Sequence, residues 1–473
     1  MHSRPVSRAL TSTAVALTLL GLSGGSAGAL EPTGSPGSAG SGDSILPAWG
    51  NGGYDARHYE IDLSWRADSR TVDARTTVTA VATQNLSRFN LELRGFAVDG
   101  VTVKVGDVRQ PATVRRDGAE MTVDPPVDIA KGQTFRTTVS YSGKPSARVS
   151  QQLGKTGWLS TSDGATALSE PLGSETWFPV NNTIRDKATY AIDVEVPNRL
   201  MAASNGRFAG RDVGDTRTTW KWREADLMAP YLPTVSIGRY RMFRSAMDHG
   251  RIPLVTFVDT KLGRQAEARR TLPRVIRFLE RTFGRYPFQS SGMVIDRIDV
   301  GYALETQSRP VMPFRAPSYL ITHEIAHQWV GNSVTPRDWK DIWLNEGFAT
   351  YTEWMWDAER FDKPATPQRQ FDFLYEIYGP KSSFWETPPA NPGSVNKLFA
   401  LPVYNRGAMA LQALRMRIGS HDFLTVLHRW AQQNAGRTVT TGDFKKLAER
   451  VSGRQLDGLF RTWLYVPEKP KGY

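Results

Sequence analysis

A chain of 473 residues is longer than one ordinary hydrophobic core encloses, and 40% hydrophobic with 10% aromatic residues is enough to build two folded domains and excludes a disordered polymer. Cysteine is absent, which excludes disulfides, zinc–thiolate centres and iron–sulfur clusters and leaves His, Asp and Glu as the available metal ligands. The formal charge of +12 comes from dispersed Lys and Arg rather than a basic block, so no nucleic-acid partner is expected.

The chain begins with Arg4 and Arg8, an uncharged apolar stretch from Ala9 to Leu22, and the small-residue site Ala27-Gly28-Ala29. This order is that of a secretory signal peptide over residues 1–29, so the mature protein is expected to be secreted with a charge of +10. The apolar stretch is short for a bilayer, no later run reaches about 18 apolar residues, and no membrane span is expected. Residues 30–53, rich in Gly, Ser and Pro, are expected to form a flexible linker.

From residue 54 the pattern alternates. Tyr59, Ile61, Leu63 and Trp65 share one face with polar residues between them, as do Phe135, Thr137, Val139 and Tyr141, and Tyr190, Ile192, Val194 and Val196. Turn pairs such as Asp99-Gly100, Asp117-Gly118 and Ser142-Gly143 separate such runs, and residues 54–242 read as an all-β domain. Residues 243–473 carry short strands at Leu254–Val258 and Met293–Ile298 and then helical periodicities. Arg269, Arg270, Arg274, Arg277 and Arg281 form the solvated side of one helix, whose buried side is Leu272, Val275, Ile276 and Leu279. A helix over 318–331 and another from Phe423 to Gln433, with Ser420 as its N-cap, follow. The fold class is multidomain α+β: a β domain and then a mainly helical catalytic domain. No signal specifies an oligomeric state.

The segment His323-Glu324-Ile325-Ala326-His327 has the H-E-x-x-H spacing, in which side chains four apart lie one turn above another and both imidazoles reach one ion. Neutral imidazole suits Zn²⁺, and a catalytic zinc takes three protein ligands. Glu346, with eighteen residues between it and His327, is the candidate third ligand if its helix packs on the first. Glu324 is then free to act as general base, taking a proton from the attacking water and returning it to the leaving amine.

The stretch from His323 to Tyr351 (HEIAHQWVGNSVTPRDWKDIWLNEGFATY) resembles the signature of the M1 family of zinc aminopeptidases. The resemblance implies a saddle-shaped β domain followed by a thermolysin-like catalytic domain, one zinc per chain, and peptides with a free N-terminus as substrates. It also implies an acid that grips the substrate's amine, within a Gly-x-Met-Glu-Asn strand. Tyr302-Ala303-Leu304-Glu305-Thr306 is similar to that strand and makes Glu305 the counterpart, with Tyr302, Leu304 and Thr306 as departures. Leu168-Ser169-Glu170-Pro171 before Trp177-Phe178-Pro179 is similar to a second anchor segment and nominates Glu170. Tyr404-Asn405-Arg406-Gly407-Ala408 resembles a Tyr-x-Lys-Gly-Ala helix start, which implies that the Tyr404 hydroxyl stabilises the oxyanion. Glu353, two turns beyond Glu346, is placed to support a ligand histidine. The expected termination after Pro467 leaves no counterpart of the large helical domain that follows in many members. Two alternatives remain at this stage: a zinc endopeptidase with the same core, and a non-catalytic peptide-binding member.

Overall fold

The computed structural model describes residues 34–150 and 153–471. The predicted export signal at 1–29 lies outside the described residues. The alternation after residue 54 produces an eight-stranded sheet in the order Arg207–Val213, Arg217–Met228, Ala188–Pro197, Tyr54–Arg66, Thr71–Ala82, Thr134–Gly143, Ala97–Val105, Val108–Pro111. Its third and fourth strands, Ala188–Pro197 and Tyr54–Arg66, are parallel, in the register Tyr59↔Tyr190, Ile61↔Ile192 and Leu63↔Val194. All six of these side chains are buried, while Glu60 and Asp62 between them face out. The Tyr59 and Tyr190 rings stack at 5.0 Å, a contact worth about 0.5–1.5 kcal/mol beyond its burial.

A five-stranded sheet, in the order Ala147–Ser150, Gly154–Ser160, Ala165–Leu168, Val235–Gly238, Met201–Ser204, leads directly into Glu170. A four-stranded mixed sheet, Tyr240–Met247, Ile252–Asp259, Ser291–Asp296 and Val311–Pro313, opens the catalytic half. Eight α-helices follow among the described residues: α1 (Ala266–Phe283), α2 (Ser318–Ala326), α3 (Trp343–Arg360), α4 (Thr366–Ile377), α5 (Leu401–Ile418), α6 (Ser420–Gln433), α7 (Thr441–Ser452) and α8 (Asp457–Leu464). On α1 the apolar side is buried as its spacing predicts; Arg269 lies over the Phe243 ring at 3.8 Å and Arg281 pairs with Glu359. No helix among the described residues is long and apolar enough to cross a membrane.

Two local expectations are corrected. The segment expected to be a flexible linker is, over residues 34–53, a strap bonded to both halves of the molecule. Ser35–Pro36 pairs with Leu86–Glu92, and Gly50 donates to Glu92 Oε1 at 2.7 Å. Asp43 Oδ2 accepts from the backbone NH of Trp339 at 2.9 Å, and the hydroxyl of Ser44 donates to Asp338 Oδ2 at 2.9 Å. Gly and Ser impose little local conformation, so these long-range partners decide the path. The second correction is at α6, where Ser420 is the first helical residue and Gly419, at φ 86°, breaks the chain from α5. The Ser420 hydroxyl accepts from the Arg415 guanidinium at 3.0 Å instead of capping.

Candidate metal and substrate site

The helix α2 ends one residue before His327, which keeps a right-handed helical conformation and its hydrogen bond to the His323 carbonyl. The i,i+4 stacking therefore survives the end of the helix, and the two imidazoles lie 4.8 Å apart, edge to face. Glu346, on the first turn of α3, brings one carboxylate oxygen within 3.2 Å of His323 Nε2 and 3.6 Å of His327 Nε2. The other ring nitrogens face acceptors: His323 Nδ1 lies 2.6 Å from Glu353 Oε1, and His327 Nδ1 3.1 Å from the Val330 carbonyl. Proton-bearing Nδ1 atoms leave Nε2 lone pairs converging on a carboxylate oxygen, a set that repels itself unless a cation sits among the three. Two imidazole nitrogens and one carboxylate, with no thiolate, is a donor set that fits zinc. The Glu353 contact fixes the orientation of the His323 ring.

The approach of α3 to α5 sets the opposite wall. Gly347 and Gly407 lie backbone to backbone: a Cβ built on Gly347 would stand 2.9 Å from Gly407 Cα. That close contact lets Tyr404, one turn earlier on α5, lay its ring over His323 at 6.1 Å and 20°. Arg406, which replaces the Lys of the resembling pattern, is buried; its guanidinium donates to the carbonyls of Trp385 at 2.7 Å and Thr462 at 3.1 Å, and to that of Val466. It thereby fastens the start of α5 to the end of α8.

Glu305 and Glu170 enter the same cavity, which measures about 320 Å³ and is also lined by Glu324 and Tyr404. Glu305 is 3% exposed and Glu170 9%. Glu305 Oε1, Glu170 Oε1 and Glu324 Oε2 are buried with no hydrogen-bond partner from the protein. Burial, reinforced by Glu305, pushes Glu170 well above the usual carboxylate range. Burial raises Glu305 as well, with His327 opposing and Glu346 adding. Glu324 is pushed up to about 8 by burial, against the pull of His323 and His327. Glu346 goes the other way: burial would raise it, but His327 and His323 hold it down to about 2. The carboxylate between the two imidazoles is thus favoured in its charged form, while burial disfavours charge on the other three.

All seven predicted site residues meet in this one cavity. Two of the three departures in the Glu305 segment acquire roles: the Tyr302 hydroxyl donates to the Lys155 carbonyl at 2.6 Å, and the Thr306 hydroxyl closes a turn on the Arg309 carbonyl at 2.6 Å. Sequence reasoning missed the walls Leu153, Tyr319 and Phe399, which sit in loops or at a helix start with no motif to mark them.

A buried His–His–Glu set with a free glutamate beside it defines the class of zinc metallohydrolases. The sequence matches the peptidase M1 N-terminal domain over residues 55–232 and the peptidase family M1 domain over residues 303–463. A glutamate-to-alanine variant of an M1 zinc metallopeptidase from Deinococcus radiodurans superposes with a TM-score of 0.81 at 28% identity, covering 91% of this chain and 98% of that one. A two-domain M1 zinc metallopeptidase variant solved with L-arginine superposes equally, with a TM-score of 0.81 at 27% identity, covering 91% and 99%. Among sequence relatives, aminopeptidase M1-D of Oryza sativa is 24% identical over 66% of this chain, which spans 38% of that relative's length. Leukotriene A-4 hydrolase of Xenopus laevis is 22% identical over 88% of this chain and 72% of its own. The chain belongs to peptidase family M1.

Proposed function

We propose that this chain is a secreted zinc aminopeptidase that releases the N-terminal residue of peptides. The observation that carries the reading is the pair of buried carboxylates, Glu305 and Glu170, each with an Oε1 that no protein group bonds, in the cavity of the His323–His327–Glu346 trio. A free α-ammonium group satisfies both and favours their charged forms, whereas a continuing peptide chain would leave each buried without a hydrogen-bond partner, at a cost of about 1–3 kcal/mol per group. A zinc ion held by His323, His327 and Glu346 would supply Lewis-acid polarisation of the scissile carbonyl and lower the pKa of water at the site. Glu324 accepts the proton of the attacking water and passes it to the departing amine. The Tyr404 hydroxyl donates to the oxygen on which negative charge develops. The structures of M1 relatives with L-arginine and with a Tyr-Ser-Ala substrate agree with a site built for a free amino end. Secretion rests on the signal-like pattern of residues 1–29. The endopeptidase alternative gains no support from a site with two acids at the amine end.

Elemental analysis and an aminoacyl-amide assay, run on one preparation, test this reading. One zinc per chain is expected, with hydrolysis abolished by chelation and restored by zinc. Glu346→Gln is expected to lose the metal. An active preparation containing no metal contradicts the proposal.

A further inference from the structure

The carbonyl oxygen of Glu305 stands outside any sheet ladder. Leu304 makes a single bridge to Val311, and the chain then turns at once through Thr306–Arg309, with Ser308 at φ 62°. Two side-chain amides hold this carbonyl: Asn332 Nδ2 donates to it at 2.7 Å and Gln328 Nε2 at 3.1 Å. Both residues are fully buried. Gln328 also accepts from the Ser308 NH at 2.7 Å, so it holds both ends of the Glu305–Ser308 segment. Gln328 directly follows the ligand His327, and the Asn332 NH donates to the His327 carbonyl at 3.0 Å. The Asn332 carbonyl is itself held by Lys187 Nζ at 2.8 Å, from the residue that precedes strand Ala188–Pro197 of the large sheet.

We propose that Gln328 and Asn332 are positioning residues that set the distance from the metal ligands to the amine-binding carboxylate of Glu305, and so fix where a substrate's N-terminus must lie relative to the scissile bond. The inference rests on the reading of Glu305 as the amine anchor. A backbone carbonyl buried away from water takes whichever donors it has, and two donors from the metal-ligand segment define the plane of the 305–306 peptide. That plane orients the Glu305 side chain. With the donors removed, the peptide turns toward other partners and the carboxylate leaves its place, and a misplacement of about 1 Å is enough to cost on the order of 10²-fold.

The test is a double-mutant cycle on the zinc-loaded enzyme, with an aminoacyl-amide substrate. Glu305→Gln, Asn332→Ala and Gln328→Met are each expected to raise KM by about 10–100-fold, with kcat at saturation and zinc stoichiometry close to those of the parent. In the Glu305→Gln background the Asn332 and Gln328 substitutions are expected to add less than about twofold in KM, because their effect on KM passes through that carboxylate; the other bond of Gln328 Nε2, to the Glu324 carbonyl at 3.2 Å, is local to the end of α2. Gln328→Met keeps length and burial and carries the test should Asn332→Ala fail to fold. Additive effects, loss of zinc, or a fall in kcat at unchanged KM overturns the positioning role. If Glu305→Gln raises KM while both amide variants do not, the positioning proposal fails and the anchor stands. If Glu305→Gln leaves KM unchanged, the anchor itself is wrong and the proposal falls with it.

Discussion

Glu324→Gln is expected to retain one zinc per chain and to lose about 10²–10⁴-fold in kcat, the usual contribution of a general base. Glu324 lies between the two histidines in sequence, yet it is Glu346 whose carboxylate oxygen approaches both Nε2 atoms, at 3.2 and 3.6 Å, whereas Glu324 converges with Glu305 on His327 alone. Its Oε2 is buried without a protein partner, and its side chain is 4% exposed. Gln has the same shape and removes only the ability to take a proton, so α2 and the ligand geometry should be unchanged. Metal content by elemental analysis, read beside kcat, separates loss of the base from loss of the site. Near-parental turnover in a zinc-loaded variant would remove Glu324 from the mechanism.

Tyr404→Phe is expected to lower kcat by about 10²–10³-fold, which is about 2.7–4 kcal/mol, while KM and Tm change little. The ring is placed by the backbone contact of Gly407 with Gly347, by Arg406 and by the stacking on His323, and all three survive in Phe. Burial, with Glu346 beside it, raises the Tyr404 pKa well above its ordinary value, so the hydroxyl remains a proton-bearing donor at neutral pH. A lowered Tm with normal kcat would make Tyr404 a packing residue.

Much of the site was legible before the fold because its chemistry is local. His323 and His327 are brought together by helical spacing alone, and the alternation at Tyr59, Ile61, Leu63 and Trp65 declares a half-buried strand without a partner in view. Glu305, Glu170 and Tyr404 were legible only through family resemblance, since nothing in a single carboxylate or phenol states what it faces. The strap at residues 34–53 was misread for a related reason. Its order comes from contacts such as Asp43 with Trp339, and its composition reports only the absence of local preference. Arg406, Gln328 and Asn332 act on backbone carbonyls, several far along the chain, and no periodicity marks such partners.

On the proposed reading, one metal and a buried amine anchor confine cleavage to the first peptide bond. Mass spectrometry of a single peptide, incubated with the zinc-loaded enzyme in its free and N-acetylated forms, tests it most directly. The free peptide should shorten one residue at a time from its N-terminus, and the acetylated peptide should remain intact over the same interval. Internal cuts at comparable rates in the acetylated peptide would show that Glu305 and Glu170 do not hold a free amine.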